Sequence, residues 1–184
     1  MLCWCGIITL RNKLLRKVDV MGYEGSWSGM RKYLEKEMLA DSLKGRIRYF
    51  CTTYVGMDSC RIFEIRIDDN YKKQFSWDTL YADMGKKGFD DSERTWSKMR
   101  DYVDKNSVEV RDVHICEDFC EALAEYRNQD IKNSIQSDNP IVRMFAILDR
   151  RIGKRTLESL KDSLNEQPEW LKPFYLLRFE VENL

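Results

Sequence analysis

Histidine is almost missing from this chain: His114 is the only one in 184 residues. Any catalytic triad or histidine-rich metal site would therefore have to be built on that one side chain. Net charge is missing too. The 31 Lys and Arg residues are balanced by 31 Asp and Glu, so no bulk field draws the molecule to nucleic acid or to an acidic membrane, and any such contact must come from a local patch. No apolar run approaches the roughly 20 residues that a spanning helix needs. The opening stretch MLCWCGIITL is apolar, but Arg11, Lys13, Arg16 and Lys17 follow it instead of preceding it, which fits neither a secretory signal nor a membrane span. No membrane partner is expected. There is no phosphate-cradling glycine loop, since the GKKG at Gly85 to Gly88 lacks the spacing and the hydroxyl partner, and there is no GxSxG elbow or HExxH pair. No cofactor is expected.

What is present is a globular composition. Hydrophobic residues at 43% and charged residues at 34% support a packed core under a well-solvated surface. Six cysteines without a secretory signal read as reduced thiols, and the expected location is the cytoplasm. Residues 1–25 are expected to form an N-terminal extension outside the core fold, with Gly22 and Gly25 at the junction. Residues 26–184 are expected to form a single α+β domain, with a helix/meander/helix part over 26–105 and a helical part over 106–184.

Periodicity carries the fold reading. Ser26 is placed to cap a helix through Trp27, Met30, Tyr33, Leu34 and Met38, which Asp41, Ser42 and Gly45 close. The period then changes to two: Arg46 to Tyr54 alternates imperfectly, and Arg61 to Asp68 alternates cleanly with Phe63, Ile65 and Ile67 on one face. Turns are read at Gly56 to Ser59 and at Asp68 to Asn70, with a third strand around Lys73 to Asp78. A loop containing Gly85 and Gly88 follows. A helix is expected from Asp91 or Ser92 through Trp96, Met99, Tyr102 and Val103, then a fourth short strand within Ser107 to Ile115. Phe119, Leu123, Tyr126, Ile131 and Ile135 predict one long helix. Asn139 as cap and Pro140 at the first helical position open the next helix, whose stripe Ile141, Met144, Phe145, Leu148 and Ile152 points to a stop at Gly153. Leu157, Leu160 and Leu164 mark another helix, and a last amphipathic segment runs from Phe174 to Val181 beyond a turn bracketed by Pro168 and Pro173. The fold class is thus α+β: a helix, a three-stranded antiparallel β-meander, then a C-terminal bundle of about five helices packed on it.

A WSxMRxY pattern occurs twice, at Trp27 to Tyr33 and at Trp96 to Tyr102. Because strands follow the first copy and helices the second, the echo reads as coincidence or as two equivalent helices packed on one sheet, with the tryptophans as core anchors.

Reactive constellations are few. His114, Cys116 and Cys120 form an HxCxxxC arrangement and are the candidate metal ligands, but no CxxC knuckle accompanies them, and thiols used as small hydrophobes account for the pattern equally. A metal-dependent hydrolase built on clustered carboxylates, with Glu64 and Asp68 at its centre, is a third functional reading. No catalytic residue is assigned. The strongest polar signal is cationic: Arg143, Arg150, Arg151, Lys154 and Arg155 face a single acid, Asp149, within thirteen residues. Lys154 and Arg155 are expected just past a helix end, where cations complement the dipole. These five residues are the candidate binding surface for an acidic protein or a phosphate backbone. Ordinary solvated surface, with Asp149 paired to an arginine inside the fold, explains them as well. Arg46, Arg48, Arg61 and Arg66 offer a second basic face.

The segments ADSLKGRIRYF at Ala40 to Phe50, NPIVRMFAILDRRIGKRTL at Asn139 to Leu157 and FYLLRFEVE at Phe174 to Glu182 resemble an uncharacterised bacterial protein family known only by a Shigella locus label. The likeness runs from Trp27 to the end, and LDRRIGKR is its most specific element. It implies one coherent fold and supplies no activity, substrate or cofactor. The expected function is that of a non-enzymatic cytosolic interaction module binding a protein partner, much as small immunity or antitoxin proteins do. The alternative is an RNA- or DNA-binding protein using 143–155, for which the helix, meander, helix order offers a fold-level analogy with double-stranded RNA-binding domains.

Overall fold

The computed structural model describes residues 26–53 and 61–184, and its architecture is α+β. The expected extension over 1–25, with Cys3 and Cys5, and the turn read at Gly56 to Ser59 lie outside the described residues. Ser26 caps α1 (Trp27–Lys32), its hydroxyl accepting the Gly29 N–H at 3.3 Å. The helix then widens into a π-helical turn, Tyr33–Met38. Met30, Leu34 and Met38 are buried at steps of four residues, and a turn wider than the 3.6 residues of an α-helix keeps all three on the core side.

A short 3-10 turn, Asp41–Leu43, and Gly45 at φ 88° lead into the meander of β1 (Ile47–Thr53), β2 (Arg61–Ile67) and β3 (Tyr71–Phe75). All pairs are antiparallel in the order β1-β2-β3, with Tyr49 opposite Ile65 and Ile65 opposite Lys73. Ile47, Tyr49, Phe63, Ile65, Ile67 and Phe75 are buried on the inner face. The β2–β3 turn puts Asp68 and Asp69 at φ 48° and 62°, closed by the Asn70 N–H on the Ile67 carbonyl at 2.9 Å. Groups from outside the sheet reach both outer strands: the Glu35 carboxylate takes the Tyr49 N–H at 2.9 Å, and the Ser76 N–H just beyond β3 donates to the His114 carbonyl.

Beyond β3 the structure corrects several expectations. The third strand ends at Phe75 because Ser76 caps a helix, α2 (Trp77–Lys86), where a strand end and a loop were expected; its hydroxyl accepts the Thr79 N–H at 3.1 Å. The next helix, α3 (Trp96–Lys105), starts later than Asp91, since the Asp90 carboxylate binds the Glu93 N–H and the Ser92 hydroxyl and holds this stretch in turns. No fourth strand forms over 107–115, only an isolated bridge between Phe75 and His114. That loop is fixed by side chains instead: Arg111 donates twice to buried Asp118, at 2.8 and 2.9 Å, and Asp118 also accepts the Ile115 N–H at 2.7 Å. The long helix over Phe119 to Ile135 is two, α4 (Cys116–Asn128) and α5 (Ile131–Ile135), because Asp130 caps the second through the Asn133 N–H. Then come α6 (Pro140–Leu148), α7 (Lys154–Leu160), a 3-10 turn at Leu164–Glu166 and α8 (Lys172–Val181). Asn139 caps α6 as expected, accepting the Ile141 N–H at 3.0 Å.

The main core lies between the inner sheet face, α1, and α4 to α8, with Phe63 stacked on Phe119 at 4.4 Å and Phe145 edge-on to Phe119 at 5.4 Å. A smaller cluster of Trp77, Leu80, Met84, Met99 and Ile115 holds α2 and α3 together. The two WSxMRxY copies thus serve different cores. Trp27 leans on Phe63 of the sheet, while Trp96 leans on Trp77 of α2, so they are not equivalent helices on one sheet.

Candidate functional site

The stripe of α6 does not run on to Gly153. The helix stops at Leu148 because the chain is drawn into a two-strand contact with the segment after the π turn: the Ala40 N–H donates to the Leu148 carbonyl and the Arg150 N–H to the Met38 carbonyl, each at 3.0 Å. These bonds satisfy a helix-end carbonyl that would otherwise lack a partner. Gly153 is instead the residue before α7, at φ −84°. Lys154 and Arg155 therefore open a helix rather than follow one, and the dipole argument for them is reversed.

Asp149, 1% exposed, anchors the corner. It accepts the Arg151 backbone N–H at 2.7 Å, the Arg151 Nε at 2.9 Å and Nη2 at 2.6 Å, and the Tyr126 hydroxyl. The Arg151 Nη2 also reaches the Tyr126 oxygen at 3.0 Å. Arg127 lies over the Tyr33 ring at 5.0 Å. Beside this network opens a cleft of about 260 Å³, lined by Tyr33, Glu37, Met38, Asp149, Arg150 and Arg151. Single π-helical turns recur at functional sites, and here the turn supplies one wall of the cleft.

The five predicted cations separate into two groups. Arg143 is committed inward, its Nη1 donating to the Ser137 and Asp138 carbonyls at 2.6 and 2.9 Å and its Nε to Gln167. Arg151 is committed to Asp149. Arg150, Lys154 and Arg155 are exposed, with no side-chain hydrogen bond or ion pair among the described residues. Of the other basic face, Arg46 is tied to Asp68 at 2.5 Å and to Glu180 at 2.6 Å.

The candidate metal ligands do not converge. His114 is fully buried between Trp170 and Phe75, with Nε2 on the Val108 carbonyl at 3.2 Å. Cys116 donates its thiol to Glu117, and burial pushes the Cys120 thiol up to about 12. Glu64 accepts from Arg66 and Gln74 while Asp68 pairs with Arg46, so those carboxylates serve separate contacts. Among the described residues no three His, Cys, Asp or Glu side chains gather in a way that could hold a metal ion. Burial, the largest cause in each case, raises the pKa of Tyr33, of Tyr126 and of Cys51, which keeps these groups protonated and poorly nucleophilic.

In comparison with known families, the model of the SF0329 protein family matches residues 26–179. The chain belongs to this family. The match starts at Ser26, the cap of α1, and takes in the π turn and the whole Asp149 corner of this SF0329 family member. No curated protein and no solved structure matches it.

The π turn, Tyr33, Glu37 and Tyr126 escaped the sequence reading as site residues. The step-of-four spacing of Met30, Leu34 and Met38 was a legible sign of the wide turn. Nothing local marked Tyr126 as the partner of Asp149.

Proposed function

We propose that this SF0329 family member is a non-enzymatic cytoplasmic interaction module, acting through residues 26–184, whose Asp149 corner binds an acidic segment of a protein partner. The observation that carries the reading is a cleft with unpaired charge at its edge: Asp149, held by Tyr126 and Arg151, forms one wall, Arg150 lines it without a side-chain partner among the described residues, and exposed Lys154 and Arg155 follow in the next turn of chain. Cations already in place but unneutralised gain most from an incoming carboxylate, in steering and in specificity. Tyr33 and the guanidinium of Arg151 add the residue types that dominate protein interfaces.

The test is affinity capture with mass identification of partners, followed by titration of the captured partner against a triple variant, Arg150→Glu, Lys154→Glu, Arg155→Glu. Because all three side chains are exposed and unpaired, the variant should fold normally. It is expected to bind at least about tenfold more weakly. Unchanged affinity would remove the corner from the interface. A captured nucleic acid whose affinity falls in the corner variant, with no protein captured, would favour the competing reading of residues 143–155.

A further inference from the structure

We propose that the outer face of the sheet is a second binding surface, separate from the Asp149 corner, and that it takes the phosphate backbone of single-stranded nucleic acid. The register puts Arg48, Arg66 and Lys72 directly opposite one another on three adjacent strands. Like charges facing across strands repel, so such a row is costly in an unliganded sheet where neutral side chains would serve. Two acids pair with members of the row, Glu64 with Arg66 and Asp69 with Arg48, and Lys72 is left without one among the described residues. Glu64, 7% exposed, sits beneath the row and divides its oxygens between Arg66 and Gln74. Asp69 reaches Arg48 only at 3.5 Å, with both side chains more than half exposed, a geometry worth little in water. Lys72 is exposed and has no partner among the described residues.

The row also carries a flat stacking element. The Arg66 guanidinium lies over the Phe50 ring at 4.4 Å, and Arg31 approaches the same ring at 5.7 Å. Phe50 follows Arg48 on the same face of β1, with Glu64 as its cross-strand neighbour. A guanidinium plane held against a ring offers a base a surface to stack on, while the neighbouring cations take phosphates. Cations beside an aromatic platform on a sheet face are what an unpaired strand requires. A duplex would instead need a protruding element to enter a groove.

The experiment uses the full chain and fluorescein-labelled twelve-nucleotide oligo-U and oligo-dT, read by anisotropy at 25–200 mM NaCl. Binding at low salt is expected, with log affinity falling against log salt at a slope of about −2, since about 0.7 counterions are released per phosphate contact on a single strand and three cations make contacts. Arg48→Ser with Lys72→Ser should raise Kd about tenfold or more; Lys72→Ser alone, which removes a side chain that bonds nothing, should raise it about threefold. Neutralising the corner instead, with Arg150→Ser, Lys154→Ser and Arg155→Ser, should change Kd much less than the sheet variants do when read at 150 mM NaCl, where screening confines charge effects to about 8 Å. No anisotropy change at 25 mM salt overturns the proposal, as does a loss of binding that follows the corner variant instead of the sheet variants. Displacement by poly-glutamate as effective as by unlabelled oligonucleotide of equal charge would assign the face to an acidic protein and overturn it equally.

Discussion

The two hydrophobic clusters of this protein are built on different plans. Among the described residues the main core buries 32 side chains drawn from the sheet, α1 and α4 to α8, whereas the α2–α3 cluster buries five. The main core is also cross-linked by long-range polar contacts such as Tyr126 to Asp149 and Arg46 to Glu180. In the smaller cluster, the close ion pairs are short-range, Lys87 to Asp83 and Arg94 to Asp91, and its polar ties to α4 run through one residue, Glu117, which Trp77 Nε1 reaches at 3.0 Å and Arg100 at 4.0 Å. Five buried side chains are too few to offset the ordering of two helices unaided. The α2–α3 hairpin therefore depends on its seam with the main core, where Ser76, His114 and the Arg111–Asp118 pair meet. The difference teaches where local opening should start: the hairpin, with few buried contacts of its own, is expected to open before the main core that carries the binding surfaces.

The largest effect is expected from truncation in the main core. Phe145 is fully buried against Phe119 and Tyr126, and Phe145→Ala should cost about 3–5 kcal/mol in urea unfolding and lower amide protection throughout. Leu80→Ala, by contrast, should lower hydrogen-exchange protection over 77–105 with much less change elsewhere. If Leu80→Ala instead reduces protection uniformly, the two clusters unfold as one and the comparison fails.

An intermediate effect is expected at the seam. Burial, and after it the charge of Lys73, holds His114 at about 3, well below its ordinary 6.5. Unfolding restores the ordinary value, so between about pH 6.5 and 3 the unfolded chain binds a proton that the folded chain does not. Stability then falls as pH falls, by up to about 1.4 kcal/mol per pH unit from this group. Burial likewise brings Lys73 down to about 7 from 10.5, so its contribution rises as pH climbs from about 7 to 10.5, the same sense. Urea midpoints measured from pH 7 to pH 4 should decline less steeply in His114→Gln than in the unmodified protein; equal slopes would place the acid sensitivity elsewhere.

The smallest effect belongs to the β2–β3 turn. Asp69 sits at φ 62°, and its carboxylate makes only the long contact to Arg48. Asp69→Gly relieves the left-handed backbone and should raise the unfolding free energy measured in urea by about 0.5 kcal/mol, with no change in relative protection of the hairpin. A loss of stability would show that the ion pair outweighs the strain.

The sheet and α6 were legible because their determinants are local: the period-two run at Phe63, Ile65 and Ile67, the Asn139–Pro140 start, and the stripe through Leu148. Ser76 and the spacing of Trp77, Leu80 and Met84 announce α2, but the period-two reading of Lys73 to Asp78 runs over its cap and hides it. Gly153 misled for a different reason. A glycine is common just past a helix, yet α6 is ended by backbone bonds to Met38 and Ala40, over a hundred residues earlier in the chain, and no local pattern records them. The candidate site shares that property. The basic residues stand out as a run, but only folding separates the committed Arg143 and Arg151 from the unpaired Arg150, Lys154 and Arg155, and only folding brings Tyr33 beside Arg150 and Tyr126 beside Arg151.

The π turn at Tyr33–Met38 makes this corner sensitive to chain length in a way that composition does not convey. A π turn accommodates one residue more than an α-helix would use over the same rise. Removing a single residue there would let the helix tighten, swing everything after it about its axis by roughly 100°, and carry Met38 and Ala40 away from Arg150 and Leu148. The cleft would lose a wall without any of its own side chains having been altered. Spacing within this helix is thus as much a determinant of the site as the arginines that mark it.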